Sequence, residues 1–421
     1  MSTLNIIEDL ESGVRNYVRS FPTMFVKAKG YRLYDHIDRE YIDFFSGAGA
    51  LNYGHNNPKL KEKLLEYIIN DNITHSLDMA SLAKTDFIES FNRIILKPRG
   101  LEYRMMFTGP TGTNAVESAI KLARNVTGRH NVMAFTNAFH GMTLGSLALN
   151  GNKSKRKAGI PLNHVLRMPY DGYFGEDFNT LEYIDKLLSD PGSGMSLPAA
   201  VILETVQGEG GLHSASIEWL KGIERICRKY GMLLIVDDIQ VGCGRTGSFF
   251  SFENAGIIPD IICLSKSISG YGLPMALNLI KQEYDVWSPG EHNGTFRGNN
   301  LAFITAAEAL KYWEADNFSQ NIKISSTIIE EFLDELVRNF QDLPISKRGR
   351  GMIQGLAFEV DGLATTICSI SFSNGLLIET SGSKSDVIKL IPPLTIDQRG
   401  LEQGLNILNN SINEALFHTS S

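Results

Sequence analysis

Between residues 103 and 300 the chain repeats one pattern: a short apolar run, a polar or glycine-rich break, then a helical stretch. Tyr103–Thr108, Asn131–Thr136, Ala199–Glu204, Met232–Asp237 and Ile261–Ser265 read as strands. A strand with one face in water alternates polar and apolar side chains. The last three of these are apolar almost throughout, so both of their faces must be covered. Two intervening segments have helical spacing, one opening at Thr111–Asn114 and stopping at Gly128, the other at Ile217–Tyr230. The pattern predicts an α/β fold: a mostly parallel central sheet with helices on both faces.

The flanks differ. Residues 1–50 are mixed, with an extended stretch over Tyr31–Asp38, and Phe44–Pro58 is rich in Gly and Asn and reads as a long loop. Leu60, Leu64, Leu65 and Ile68 then give Lys59–Asn70 a helical stripe. Beyond 310 a long helix carries Ile322, Ile328, Ile329, Phe332, Leu333 and Leu336, followed by strands around Leu356–Val360 and Gly375–Glu379. A chain of 421 residues exceeds a single ordinary core. The expected organisation is a large domain over 51–310 and a smaller α+β domain built from 1–50 and 311–421. No repeat or heptad seam argues for a solenoid or coiled coil.

Charge and composition exclude several classes of function. A formal net charge of −7 disfavours a nucleic-acid partner. Apolar runs are far shorter than the roughly 20 residues of a membrane helix. The opening MSTLNIIEDLESG has no signal-peptide character, so a cytoplasmic location is expected. Cys227, Cys243, Cys263 and Cys368 lack C-x-x-C spacing and read as reduced thiols. His55, His140 and His292 are too dispersed to predict a metal site.

Ligands of a parallel sheet bind at the carboxyl ends of its strands, so those ends test for a site. Here they carry Thr108-Gly109-Pro110-Thr111-Gly112-Thr113-Asn114 at a helix start, Glu204 to Gly211, Asp237-Asp238-Ile239-Gln240, and Ser265-Lys266-Ser267. Each has an ordinary explanation: Asp237 as a helix cap, Lys266 as a solvated surface lysine, the Thr-Gly-Thr turn as capping alone. Together they meet the needs of one cofactor. A helix N-terminus takes a phosphate, a carboxylate holds a pyridine nitrogen protonated, and a lysine captures an aldehyde as an imine. One crossover's length separates Asp237 from Lys266.

These motifs resemble the class III, or ω-amino-acid, aminotransferases, which are pyridoxal-phosphate enzymes of fold type I, and the likeness runs from Gly47 to Leu394. The resemblance implies pyridoxal 5'-phosphate as cofactor, with Thr111, Gly112 and Thr113 on its phosphate. It implies Phe139 of Phe139-His140-Gly141 stacked on the ring, Ile239 on the opposite face, Asp237 on the ring nitrogen and Gln240 on the phenolic oxygen. Lys266 matches the Schiff-base lysine. Thr295 matches a threonine that reaches the neighbouring subunit's phosphate, which implies a homodimer or larger homo-oligomer with shared sites. Two positions depart from the family pattern: Asp238 follows Asp237 where Glu is usual, and Lys389 stands before Pro392-Pro393-Leu394 where Arg is frequent. In relatives that Arg pairs with a glutamate matching Glu209 and binds a substrate carboxylate. Lys389 keeps the charge and loses the bidentate fork; a surface charge is its alternative reading.

Further stretches, including Gly294-Thr295-Phe296-Arg297-Gly298 and Ile378-Glu379-Thr380-Ser381-Gly382, narrow the resemblance. They point to members that move an amino group from L-glutamate to L-aspartate 4-semialdehyde, at the entry to ectoine synthesis. Other members, acting on 4-aminobutyrate or ornithine, or supplying diaminobutyrate elsewhere, would share the cofactor residues. A non-catalytic relative would be expected to lose the lysine or the aspartate. The resemblance implies that Lys266 also shuttles the substrate proton, and that Glu209 moves between half-reactions.

Overall fold

The computed structural model describes residues 3–419. β1 (Phe25–Lys29), β2 (Arg32–Asp35) and β3 (Glu40–Asp43) form an antiparallel meander. The middle of the chain supplies β4 (Arg104–Phe107), β5 (Val132–Phe135), β6 (Val165–Met168) and β7 (Ala200–Leu203), a small hairpin of β8 (Val206–Gln207) and β9 (His213–Ser214), then β10 (Leu233–Asp237), β11 (Ile261–Leu264) and β12 (Leu277–Ile280). The C-terminal part adds β13 (Ile345–Arg350), β14 (Ile353–Phe358), β15 (Leu376–Leu377), β16 (Glu379–Ser381) and β17 (Val387–Leu390).

The central sheet has seven strands in the order β4-β12-β11-β10-β7-β5-β6. It is parallel apart from β12, which runs antiparallel to β11 and β4. The expected two-sided burial is seen within single strands. Leu234 and Val236 of β10 join one apolar layer, and Leu233 and Ile235 join the other. Helices supply those layers because each has one apolar stripe. The helix Ile217–Tyr230 buries Trp219, Leu220, Ile223 and Ile226. Its ends are local chemistry: Ser216 Oγ accepts from Trp219 N at 3.2 Å, and Gly231 takes φ 59°.

One strand of the sheet was not foreseen from the sequence, and the Gly-rich loop read between Met232–Asp237 and Ile261–Ser265 is seen. β12 was not predicted: its polar Asn278 interrupts an apolar run, yet Asn278 is buried and donates to Ala115 O and Ser118 Oγ of the neighbouring helix. The connection from β10 to the adjacent parallel β11 carries no α-helix, only a single turn at Glu253–Ala255. Arg245 holds this connection in place. It is fully buried and donates to the carbonyls of Met352 and Pro392 and to Asn52 Oδ1. Burial pushes its guanidinium down to about 9.

The chain's two ends meet beside this sheet. β3 pairs in parallel with β15, so the N-terminal meander and a C-terminal strand share one sheet. A second sheet, β13-β14-β17-β16, packs with the helices Asp316–Asn339 and Gln398–Thr419 around Ile322, Ile329, Leu333, Leu356, Leu405 and Leu408. The segment expected as a loop contains a tight turn at Ser46–Gly49, in which four consecutive residues have φ between 47° and 87°. Left-handed geometry costs a residue with a side chain about 1–2 kcal/mol, so Ser46 and Ala48 are strained. Asp43 Oδ1 fixes the turn by accepting from Phe45 N at 2.8 Å and Ser46 N at 2.7 Å. Among the described residues no helix is long and apolar enough to cross a membrane. All four cysteines are unpaired.

Candidate active site

The carboxyl ends of β4, β5, β7, β10 and β11 converge on a half-open cavity. Gly112, Thr113, Phe139, His140, Gly141, Glu204, Glu209, Asp237, Ile239, Gln240 and Lys266 line it. Most of the residues singled out from sequence are thus brought together. Thr111, Thr295 and Lys389 are not on this wall.

The helix Gly112–Thr127 points its N-terminus at the cavity. Among the described residues, the backbone N–H groups of Gly112 and Thr113 have no hydrogen-bond partner. A Cβ on Gly112 would lie 3.0 Å from the Ile239 side chain, so a larger residue here would push Ile239 back by a few tenths of an ångström. Thr113 Oγ1 bonds Thr143 Oγ1 at 2.6 Å and Ser146 Oγ at 3.0 Å. Thr111 faces elsewhere, its Oγ1 accepting from Asn114 Nδ2 at 2.9 Å.

Asp237 ends β10 almost fully buried. Its Oδ2 lies 2.7 Å from His140 Nδ1, and its Oδ1 accepts from Ile239 N at 3.2 Å. His140 thus holds the carboxylate in place, a contact the motif alone did not disclose. Its Nε2 is buried without a partner among the described residues, as is Gln240 Oε1. Gln240 Nε2 donates to Ala48 O at 2.9 Å and Glu209 Oε1 at 3.1 Å. The neighbouring Asp238 points away from the cavity, where its carboxylate takes the N–H of Ser251 in the connection to β11. Burial pushes its carboxyl up to about 7.

Lys266 follows β11 at φ 52°, a left-handed conformation for a residue with a side chain. Its Nζ donates to Ala48 O at 2.8 Å, the carbonyl presented by the strained turn. Burial lowers the pKa of this amine, with the Glu209 charge working the other way. Lys389 lies just behind Glu209. It is fully buried, which overturns the surface reading, and its Nζ sits 2.7 Å from Glu209 Oε1 and 2.9 Å from Glu379 Oε1. Burial opposes its charge, but the two carboxylates raise its pKa above the ordinary lysine value. Burial likewise opposes the charge of Glu209, while Lys389 and Lys266 hold its carboxyl well below the usual range.

Two contributors escaped the sequence reading, and a third, Glu204, was noted at its strand end without a role. Glu204, at the end of β7, lines the cavity and accepts from Phe139 N at 2.9 Å. Burial and the Asp237 charge push its carboxyl well above the usual range, toward the neutral form. The signal was available: Glu204 closes its apolar run as Asp237 closes that of β10. Glu379 faces Lys389 across the β16–β17 ladder, and strand register cannot be read from composition. The Ala48 carbonyl left no side-chain signature at all. Thr295 lies exposed outside this cavity, its carbonyl 3.0 Å from His75 Nε2.

The comparisons with known proteins agree with this geometry. Residues 14–412 match the family model described as aminotransferase class-III. The chain belongs to the class-III aminotransferases, and its cofactor is pyridoxal phosphate. It is 58% identical over 417 residues to a diaminobutyrate--2-oxoglutarate transaminase of Halalkalibacterium halodurans, covering 99% of this chain and 97% of that one. It is 59% identical over 412 residues to a protein of the same name from Oceanobacillus iheyensis, covering 98% and 96%. Among solved structures, an ornithine aminotransferase from Toxoplasma gondii matches with a TM-score of 0.86 at 25% identity, covering 99% of this chain and 95% of that one.

The residues present fit the cofactor. Two unpartnered N–H groups at a helix start suit a phosphate. The buried, His140-held Asp237 suits a ring nitrogen, and Lys266 extends into the same cavity with a depressed pKa.

Proposed function

We propose that the protein transfers the amino group of L-glutamate to L-aspartate 4-semialdehyde, giving 2-oxoglutarate and L-2,4-diaminobutyrate, as the first committed step of ectoine synthesis. The observation that carries this reading is the identity of 58% and 59%, over nearly the whole chain, with relatives bearing the transaminase name. It is supported by a cavity that gathers the lysine, the aspartate and the free helix start.

When bound, pyridoxal phosphate supplies an electron sink that stabilises negative charge at the substrate carbon. The chain's residues do the rest. Gly112 and Thr113 would hold the phosphate by their backbone N–H groups, while Phe139 and Ile239 would flank the ring. Asp237, oriented by His140, would keep the ring nitrogen protonated. Gln240 would turn toward the ring's phenolic oxygen. The Lys266 amine, whose pKa burial lowers, would remove the α-proton of glutamate and return a proton in the second half of the reaction. Glu209, held by Lys389 and Gln240, would shift to admit the second carboxylate of glutamate. Thr295 would complete the phosphate site of a partner subunit in a homodimer located in the cytoplasm.

The deciding experiment presents the purified protein with L-glutamate and either L-aspartate 4-semialdehyde, glutamate 5-semialdehyde (the carbonyl counterpart of ornithine) or succinate semialdehyde (that of 4-aminobutyrate). Preference for aspartate semialdehyde is expected. Equal turnover of succinate semialdehyde would overturn the substrate assignment. An acetyltransferase gene and a small synthase gene beside this one would support the ectoine pathway.

A further inference from the structure

Three lysines lie close enough to act on Glu209: Lys389, Lys266 and Lys155. Lys389 is enclosed between Glu209 and Glu379, and its charge is already neutralised there. Lys266 is bound to the Ala48 carbonyl and serves the chemistry. Lys155 differs from both. Its side chain is 41% exposed, and its Nζ stands 4.0 Å from Glu209 Oε2, too far for a hydrogen bond. The same ammonium lies 4.9 Å from the centroid of the Phe139 ring. Phe139 and Glu209 both line the main cavity, and a recess beside it is bordered by Phe139, Asn152, Lys155, Glu209 and Ser383. Lys155 is thus a half-exposed cation on the recess that shares Phe139 and Glu209 with the cavity, and it is held by weak interactions.

The two substrates present an anion at the same reach. Glutamate reacts at Cα, and its far carboxylate is reached along Cα–Cβ–Cγ–Cδ. Aspartate semialdehyde reacts at C4, and its carboxylate is reached along C4–C3–C2–C1. The number of bonds is equal, so one fixed cation serves both half-reactions. What differs is the remaining charge: a carboxylate on the reacting carbon of glutamate, an ammonium beside the far carboxylate of the semialdehyde. Glu209 Oε2, which accepts no hydrogen bond among the described residues, is the group adjacent to Lys155 that an ammonium would meet.

We propose that Lys155 binds the far carboxylate of the substrate in both half-reactions, an assignment that rests on the diaminobutyrate reading. The test uses the cofactor-loaded enzyme with Lys155→Met and Lys155→Arg. Without the charge-assisted hydrogen bond from the ammonium to each substrate, both KM values should rise by about tenfold or more in Lys155→Met. The kcat and the visible absorbance of the bound cofactor should change little, and Lys155→Arg should retain most of the wild-type KM. Calorimetric affinity for glutarate, which carries the carboxylates but no amine, should fall in parallel. An unchanged KM for either substrate, an unchanged glutarate affinity, or loss of the cofactor absorbance would overturn the assignment. A wild type that ignores aspartate semialdehyde would instead break the underlying reading, and glutarate binding together with the glutamate KM would still decide the role of Lys155.

Discussion

Lys389 is fully buried and Lys266 half-buried beside Glu209, and their surroundings drive them in opposite directions. Lys266 ends a central-sheet strand and finds a backbone carbonyl, so burial prevails and its pKa falls. Lys389 sits in β17 of the C-terminal sheet between two carboxylates, so opposite charge prevails and its pKa rises. One site therefore holds a lysine prepared to lose its proton and another that keeps it. The difference teaches that the chemistry of a buried lysine is set by the charge of its immediate partners more than by burial itself.

The largest test of this contrast is Lys266→Ala. Removing the proton-transferring amine should lower kcat by about a thousandfold or more and abolish the visible absorbance of the bound cofactor; normal absorbance would refute the assigned role. Lys389→Met should leave two facing carboxylates uncompensated. Breaking a buried pair costs about 3–5 kcal/mol, read as a lower urea midpoint, and a midpoint equal to wild type would show that the carboxylates had become neutral.

A smaller effect is expected where a buried acid has no ion pair among the described residues, as with Asp238. Its folded pKa, about 7, lies above its ordinary value, so the folded state binds the extra proton and stability falls as pH rises from about 4 to 7. Asp238→Asn should flatten the melting temperature across that window; an unaltered slope would reject the burial account. Smallest of all, the exposed Lys63, 2.7 Å from Glu66, is a lysine–carboxylate pair as close as that of Lys389 and with none of its burial. Lys63→Met should leave the melting temperature unchanged within error.

What could be read from the sequence followed local rules. The helix Ile217–Tyr230 was legible to the residue because its apolar stripe, Ser216 cap and Gly231 stop agree. Asp237 and Lys266 were legible because strand ends in a parallel sheet are where ligands bind. Interactions that depend on register or on distant turns were hidden. Glu379 meets Lys389 only through the pairing of β16 with β17. β12 was masked by Asn278, whose polarity is satisfied by a helix far earlier in the chain. Asp238, flagged as a departure from the family pattern, is explained by its hold on Ser251 and has no place on the cavity wall.

The left-handed turn at Ser46–Gly49 gives this division of labour a mechanical side. A single carbonyl, Ala48 O, accepts from both Lys266 and Gln240. Whenever both side chains turn toward a bound molecule, that oxygen loses both donors, while Ser267 Oγ still holds the neighbouring Gly49 carbonyl at 2.6 Å. Engagement of Lys266 and Gln240 would thus loosen the turn at one carbonyl and leave it anchored at the next.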